Sequence, residues 1–261
     1  MSSNVVNRAA SKQPQAAAAG PTVADPSTPP ATAGSEIPRD LTAELQAQYF
    51  RHLYPLPSYN FLHETTISRR QASGTLNEPL GLAFCAVTAL LLGYKAAPHA
   101  SWIETAEHGV LAALHRPSMF HLQALLLTIR YHAASGGFAR AFMLAGLASR
   151  TAAGLRLHYE HAEISAVAQE MRRRTFWSLY LLDDLFCVGL KEYELCRPQT
   201  IHLRLPSQTV EGSADEKAAY LDAAHSIEPE SLGCHAAILR LAGMRRSIMK
   251  LVHGLDRLTG Y

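Results

Sequence analysis

The chain has 261 residues, of which 48% are hydrophobic and 18% are charged, so it is long enough to bury a substantial core. Its 24 basic and 22 acidic residues leave a formal net charge of +2, which argues against an autonomous nucleic-acid binder. The longest apolar run, Leu80 to Leu92, is shorter than the roughly 20 residues that a helix needs to cross a bilayer, which argues against a membrane protein.

The first 38 residues are rich in Ala, Pro, Ser, Thr and Gly and contain almost no large apolar side chains. Such a composition cannot offset the entropy of ordering, so residues 1–38 are predicted to form a disordered tail. The segment lacks the apolar stretch of a secretory signal. Arg8 and Lys12, with no acid before Asp25, leave a mitochondrial transit peptide as an alternative.

The folded part is predicted to begin with a helix that Asp40 caps and that Pro55 and Pro57 stop. A short second helix is predicted from Leu62 to Ser73, with Gly74 at its end. The apolar residues of the first helix recur at four-residue spacing, as on one helix face: Leu41, Leu45, Tyr49 and Leu53.

Three further helices are predicted before the turn at Gly136 and Gly137. The first has Pro79 in its first turn and is apolar on all sides, which predicts a central position. The third is capped by Ser118. The second lies between Pro98 and Pro117, and its predicted inward-facing residues are Trp102, Ile103, Ala106, Val110, Leu111 and Leu114.

The segment from Phe138 to Leu155 is predicted to be a helix that another helix can approach closely, with Gly154 as its C-terminal cap. The small residues that permit this approach are Ala141, Ala145, Ala148 and Ala152. From Pro198 to Pro206 the chain is predicted to be irregular or extended, and two helices are predicted to follow, from Ala214 to Ala224 and from Leu232 to Leu258. The last helix carries one apolar stripe: Ile238, Leu241, Ile248, Leu251, Val252 and Leu255. The fold class is therefore predicted to be all-α, a multi-helical single domain.

The stretch from Glu170 to Pro198 is the most specific in the chain. It belongs to a long helix that Ser165 is predicted to cap, and three consecutive arginines precede a strongly apolar run from Phe176. The arginines are expected to cover apolar surface with their stems and to pair with acids such as Glu170 or Asp183.

No catalytic constellation is recognisable. Asp183 and Asp184 resemble part of the magnesium motif of class I terpene cyclases, but Cys187 stands where that motif needs a third acid, so pairing with an arginine is favoured. His158 and His161 have no further ligand at zinc-site spacing. Nucleophile, phosphate-loop and dinucleotide motifs are also missing from the sequence. The chain is therefore predicted not to be an enzyme and to hold no metal or other cofactor.

Several blocks of the sequence resemble the fungal-specific transcription factor domain, the middle homology region of fungal binuclear zinc cluster regulators. The resemblance covers Leu41 to Pro206 and the helices that follow. The blocks that carry it are Leu122 to Leu127, the segment from Ala139 that ends Gly-Leu-Arg-Leu-His, Glu170 to Arg174, Phe176 to Tyr180, Leu182-Asp183, Arg197-Pro198 and Leu205-Pro206.

The resemblance implies that residues 39–261 form a regulatory domain that lies C-terminal to a DNA-binding domain and acts in the nucleus on RNA polymerase II transcription. Such a domain is expected to restrain or transmit activity, in answer to a small-molecule effector, and to bind protein partners or a second copy. The alternative is a stand-alone ligand- or protein-binding helical module that modulates other regulators without binding DNA.

The chain departs from the family in its cysteines. Members usually carry six cysteines near the N-terminus that hold two zinc ions, whereas this chain has none between Met1 and Leu41. DNA binding and zinc are therefore expected only from a missing or separate segment. Either this gene model has lost an upstream exon and a C-terminal part, or the chain is a stand-alone regulatory domain. The usual Gly-Arg-Pro reads Cys196-Arg197-Pro198 here. With Cys85, Cys187 and Cys234, Cys196 is expected to be a reduced thiol of an intracellular protein.

The matching positions are predicted to have a structural role. They are expected to form one internal charge network that fixes the long helix against the loop after it, with Trp177 as the anchor in the core. Replacing Asp183 or Arg173 by alanine is accordingly predicted to lower the melting temperature. The full set of predicted network residues is Glu170, Arg172, Arg173, Arg174, Trp177, Asp183, Arg197 and Pro198.

Overall fold

A computed structural model describes residues 37–161, 163–210 and 233–259. Nearly all of the predicted tail, and the helix predicted from Ala214 to Ala224, lie outside the described residues. The last two residues of that tail belong to the folded part, because Ile37 packs against the core and Pro38 immediately precedes the first helix.

Helices form all the regular secondary structure of the described residues, apart from one isolated parallel bridge between Tyr159 and His202. This confirms the predicted all-α, multi-helical fold. A π-helical turn, Tyr49–Leu53, continues the first helix, and short 3-10 turns occupy Lys191–Tyr193 and Pro198–Thr200. The bounds of the α-helices are α1 Arg39–Gln48, α2 Glu64–Ala72, α3 Glu78–Leu91, α4 His99–Ala112, α5 Met119–Ala134, α6 Phe138–Gly154, α7 Ala166–Cys187 and α8 Cys234–Thr259.

Helices α3 and α5 form the centre of the core. Every residue from Leu122 to Ile129 of α5 is buried, as are nearly all residues of α3 after its first turn. Helix α3 packs against α1, α4 and α5, and α5 also packs against α6 and α7. A helix with apolar residues all round its circumference must be covered all round, which explains the central position predicted for α3.

Side-chain caps fix where three of the helices begin. Asn77, Ser118 and Ser165 each accept a hydrogen bond from the amide three residues further on, at 3.2, 3.2 and 3.3 Å. These bonds satisfy amides that have no partner within the helix, and they confirm the caps predicted at Ser118 and Ser165. The cap predicted at Asp40 was wrong, because α1 already begins at Arg39 and Asp40 lies in its first turn.

Two other local predictions were wrong. Leu111 and Leu114, predicted to face inward, are 37% and 40% exposed, because Leu114 lies beyond the end of α4 and Leu111 is rotated away from the buried Val110. Gly154 is the last residue of α6 and does not cap it by a left-handed turn. That conformation falls on Arg156, whose φ is 52°.

Helices α6, α7 and α8 each pack against the preceding helix of the chain. The four predicted alanines of α6 are buried where α6 packs against α5 and α7. The extended segment after Pro198 buries Leu203 and Leu205, and α8 packs against α7. Within the described ranges, no helix combines the length and the apolar character that a membrane span requires.

Candidate functional site

Helix α7 carries the residues that the sequence singles out, and it is buried on most of its circumference. Trp177 is fully buried, and its indole N–H donates to the carbonyl of Arg204 at 2.6 Å. The rings of Phe176 and Tyr180 meet it edge to face, with centroids 5.6 and 5.4 Å away. Trp177 therefore connects α7 to the extended segment that follows it along the chain.

A first charge cluster surrounds Glu170 in the N-terminal half of α7. Its carboxylate accepts hydrogen bonds from Arg174 at 2.8 Å, from Arg173 at 3.1 Å and from the amide of Ser207 at 2.9 Å. Glu170 is 1% exposed, and burial raises its pKa although both arginines act to lower it. The carboxylate is thus enclosed together with the groups that neutralise it.

Arg174 links this cluster to the beginning of the folded chain. Its guanidinium donates to the Tyr54 hydroxyl at 3.1 Å, to the side-chain oxygen of Asn60 and to the carbonyl of Ser207 at 3.0 Å. Arg174 itself is buried, and its three partners are partly buried. One side chain therefore holds together three segments that are distant in sequence.

Arg173 binds a second acid of the same cluster. Its guanidinium forms a bidentate pair with Glu160, at 2.9 and 2.8 Å, and Glu160 also accepts from the amide of Arg204 at 2.9 Å. Burial acts to raise the pKa of Glu160, but the bonds from Arg173 and from the Arg204 amide lower it below its ordinary value. Two arginines and two glutamates balance in charge within this cluster.

The third arginine of the triplet binds carbonyl oxygens instead of carboxylates. Arg172 donates to the carbonyls of Leu155 and Arg156 at 3.0 and 3.4 Å. These two carbonyls belong to the turn that follows α6, which ends at Gly154. Arg172 therefore connects α7 to this turn.

A second charge cluster lies in the C-terminal half of α7, around Asp183. This carboxylate is fully buried and accepts the amides of Leu195 and Cys196 at 3.1 and 2.9 Å. Its ionic partner is Arg246 of α8, at 3.2 Å, and not an arginine of the triplet. Burial raises the pKa of Asp183, while Arg246 and the two amides act to lower it.

Arg246 is the centre of the second cluster and is itself buried. It pairs with Asp184 at 3.2 Å and with Glu194 at 3.4 Å, and its guanidinium lies 4.1 Å from the centre of the Tyr180 ring. It also donates to the carbonyls of Tyr180 and Cys196 at 3.0 and 2.9 Å. Every part of this guanidinium is occupied, so Arg246 joins α8 to α7 and to the loop before Pro198.

Two more basic residues of α8 complete the second cluster. Arg245 pairs with Asp184 at 2.7 Å, and Lys250 pairs with Glu194 at 2.7 Å. The cluster thus contains three acids, which are Asp183, Asp184 and Glu194, and three bases, which are Arg245, Arg246 and Lys250.

The charged residues predicted to form one network do not lie together. Glu170, Arg173 and Arg174 belong to the first cluster and Asp183 belongs to the second, whereas Arg172 binds only carbonyl oxygens. Arg197 belongs to neither, because its side chain is exposed and, among the described residues, it forms no ion pair. Pro198 begins the 3-10 turn that follows the second cluster. Cys196 contributes its backbone to both Asp183 and Arg246, and its thiol is buried. Of the described non-glycine residues, only Arg156 and Val188 have positive φ, so the backbone at Cys196 does not require the glycine usual in the family.

Asp183 and Asp184, which resembled part of a magnesium motif, are both paired with Arg246. Within the part of the chain that the structure describes, no three His, Cys, Asp or Glu side chains lie together as metal ligands. The buried Glu107 forms a third group, with His132 at 2.7 Å and Arg140 at 2.9 Å, which no local pattern in the sequence indicates. It joins α4, α5 and α6 in the same manner as the two clusters on α7.

The fold and its charge clusters define an all-α domain in which one long helix is clamped to distant parts of the chain. The chain belongs to the family described as the fungal specific transcription factor domain, whose model matches residues 47–258. This confirms the resemblance stated from the sequence.

Relatives of the chain carry the names of transcription factors and regulators. It is 27% identical over 193 residues to the Zn(2)-C6 fungal-type transcription factor FTF1a of Fusarium oxysporum, covering 64% of this chain and 17% of that protein. It is 31% identical over 117 residues to the transcriptional activator protein acu-15 of Neurospora crassa, covering 44% of this chain and 13% of that protein. An uncharacterized transcriptional regulatory protein of Schizosaccharomyces pombe is 29% identical over 157 residues, covering 52% of this chain and 16% of that protein. The chain thus spans about a sixth of the length of these relatives, and no solved structure matches it.

Proposed function

We propose that residues 39–261 act as the regulatory domain of a fungal transcription factor and that a zinc cluster outside this chain recognises DNA. Membership of the family and the names of the relatives support a role in transcription. The domain acts in the nucleus on RNA polymerase II transcription, through protein partners and in answer to a small-molecule effector.

The observation that carries this proposal is the inward direction of the strongest basic cluster. Arg172, Arg173 and Arg174 bind carbonyls and carboxylates of their own domain, as does Arg246. A DNA-binding surface needs basic side chains that can reach phosphates. These four arginines cannot do so without breaking the contacts that hold α7 in place.

Tethering tests the regulatory role directly. The chain is fused to a bacterial DNA-binding domain and expressed in a fungus that carries a reporter gene behind the matching operator. The expected result is a change in reporter expression relative to the DNA-binding domain alone. The Arg246→Met variant of the fusion loses the contacts that hold α8 on α7, so we expect it to lose that change. Unaltered expression with a folded, nuclear fusion protein would contradict the regulatory role and favour a module that acts only on other regulators.

A gel-shift titration tests the assignment of DNA recognition to another segment. The purified chain is expected to bind duplex DNA only weakly and to release it well below about 200 mM salt, since few phosphate contacts are available. Tight binding that survives this salt concentration would show that the chain itself binds DNA.

A fluorescent fusion of the full protein tests the nuclear localisation.

A further inference from the structure

A cavity of about 230 Å³ is lined by residues of α7, of the beginning of α8 and of two non-helical segments. One of these segments follows the π-helical turn, and the other is the extended segment after Pro198. Pockets that bind drug-sized molecules measure about 300–1,000 Å³, so this cavity suits a smaller organic molecule. Its lining includes Pro55, Pro57, Arg174, Pro206, Cys234 and His235.

Arg174 brings a buried positive charge to this cavity. It is 3% exposed, and among the described lining residues it is the only one with a permanent charge, whereas its partner Glu170 does not line the cavity. A guanidinium carries five N–H donors. Four of those in Arg174 bind acceptors of its own domain, and one N–H of Nη2 has no partner within the described part of the chain. The cavity therefore offers a donor on a cation, for which an anionic oxygen is the strongest acceptor.

His235 brings a second polar atom without a partner. Its Nε2 is buried and forms no hydrogen bond within the described ranges. Burial and Arg174 lower the pKa of His235 to about 4, so the imidazole is neutral near pH 7. A buried polar atom without a partner costs free energy, and a ligand oxygen would remove that cost when the proton lies on Nε2. Arg174 and His235 thus favour the same kind of ligand group, an oxygen that accepts hydrogen bonds.

The rest of the lining includes three proline rings, those of Pro55, Pro57 and Pro206. These rings are apolar, and prolines have no backbone N–H that could bind a polar ligand. Ligand sites commonly combine an apolar wall with a few polar groups that fix the orientation of the ligand. The cavity therefore matches a molecule with an apolar body and one carboxylate. Inorganic phosphate matches it less well, because it has no apolar body to cover the prolines.

We propose that this cavity binds a small apolar monocarboxylate, held by Arg174 and His235 against the three prolines, and that this ligand is the effector of the regulatory domain. Only the second half of this inference rests on the proposed function. A ligand in the cavity would contact α7 and the beginning of α8 at once. It would stabilise the folded domain, because it binds only when these segments are in place.

Isothermal titration calorimetry of the purified 261-residue chain at pH 7 tests this proposal. Benzoate is the probe, because it joins one carboxylate to a flat apolar ring, and benzamide is its uncharged counterpart of the same shape. Benzoate is expected to bind with a Kd below about 5 mM, and benzamide is expected to bind at least about tenfold more weakly.

Two histidine variants place the bound probe. His235→Phe keeps an aromatic ring and removes Nε2, so it is expected to weaken benzoate binding about tenfold without lowering the melting temperature. His108→Phe is the matched control, since His108 is an exposed residue of α4 that does not line the cavity. This control is expected to bind benzoate like the wild type.

Three results would overturn the proposal. The first is the absence of benzoate binding up to about 20 mM, and the second is equal affinity for benzoate and benzamide. The third is equal affinity of the wild type and His235→Phe for benzoate. If His235→Phe fails to fold, Cys234→Trp decides, because Cys234 is exposed and lines the cavity, so that unchanged binding with a bulky ring there would refute the site.

The tethered reporter remains an independent readout of the proposed function. A chain that binds benzoate but does not alter reporter expression would refute the regulatory role and leave the binding site standing. A chain that regulates the reporter without binding benzoate would refute the site alone.

Discussion

Replacing Arg246 by methionine removes the centre of the second charge cluster while keeping a long unbranched side chain on α8. Asp183 then loses its ionic partner but remains fully buried, with only the amides of Leu195 and Cys196 as donors. The carbonyl of Cys196, which Arg246 also binds, loses that donor.

The expected loss follows from the burial of the pair. Breaking a buried ion pair by removing one partner costs about 3–5 kcal/mol, because the remaining charge stays desolvated. An unsatisfied buried carbonyl adds about 1 kcal/mol or more. Protonation of Asp183, whose pKa burial already raises, relieves part of this cost. We therefore expect Arg246→Met to lower the free energy of unfolding by about 4 kcal/mol, measured by urea denaturation followed by circular dichroism.

The neighbouring arginine provides the control. Arg245 binds the same Asp184 at 2.7 Å, but its side chain is 49% exposed, whereas that of Arg246 is 1% exposed. Exposed pairs contribute less than about 1 kcal/mol, so Arg245→Met is expected to be nearly neutral. Adding Asp183→Asn to Arg246→Met is expected to restore part of the loss. Equal effects of the two arginine variants, or a loss below about 1 kcal/mol for Arg246→Met, would refute the reasoning.

Three further predictions address other parts of the same region. Gly189 has φ 78°, and a Cβ there would collide with the Cβ of Met249. Gly189→Ala is therefore expected to lower the free energy of unfolding by about 3 kcal/mol. A neutral result in urea denaturation would contradict this packing. Burial and Arg174 lower the pKa of His235 from 6.5 to about 4. As the pH falls from 6.5 to 4, the unfolded chain therefore takes up a proton that the folded chain does not, and the free energy of unfolding declines. His235→Asn is expected to make urea denaturation curves at pH 7 and pH 5 more alike. Thiol labelling is expected to be fast at Cys234 alone and to reach the three buried cysteines only on unfolding, and a second fast thiol would contradict their burial.

The sequence predicts the helices well where local signals decide. Ser118 and Ser165 mark helix starts through their own side chains, and the apolar circumference of α3 leaves no alternative to a central position. The spacing of residues within the α7 segment also identified its acids and arginines. It could not identify the partner of Asp183, because Arg246 lies beyond an irregular loop and nothing in the local pattern relates the two residues.

Helix α8 shows why an apolar stripe can be misread. A stripe normally indicates the buried side of a helix, because apolar burial drives most helix packing. Here the domain side of α8 is occupied by Arg246, whose guanidinium is neutralised by acids of α7 and of the following loop. The more apolar side is left to solvent, and sequence periodicity cannot distinguish these two arrangements. The residues of that outer side, which are 59% to 65% exposed, are Leu241, Met244, Ile248 and Leu251.

The two sides of α8 together constrain how this domain can act. The second cluster contains three acids and three bases, so Arg245, Arg246 and Lys250 leave little unbalanced charge for binding a polyanion. The outer side offers apolar area and regular spacing, which suit a protein helix. These observations favour the proposal that the domain regulates through protein contacts and that another segment recognises DNA.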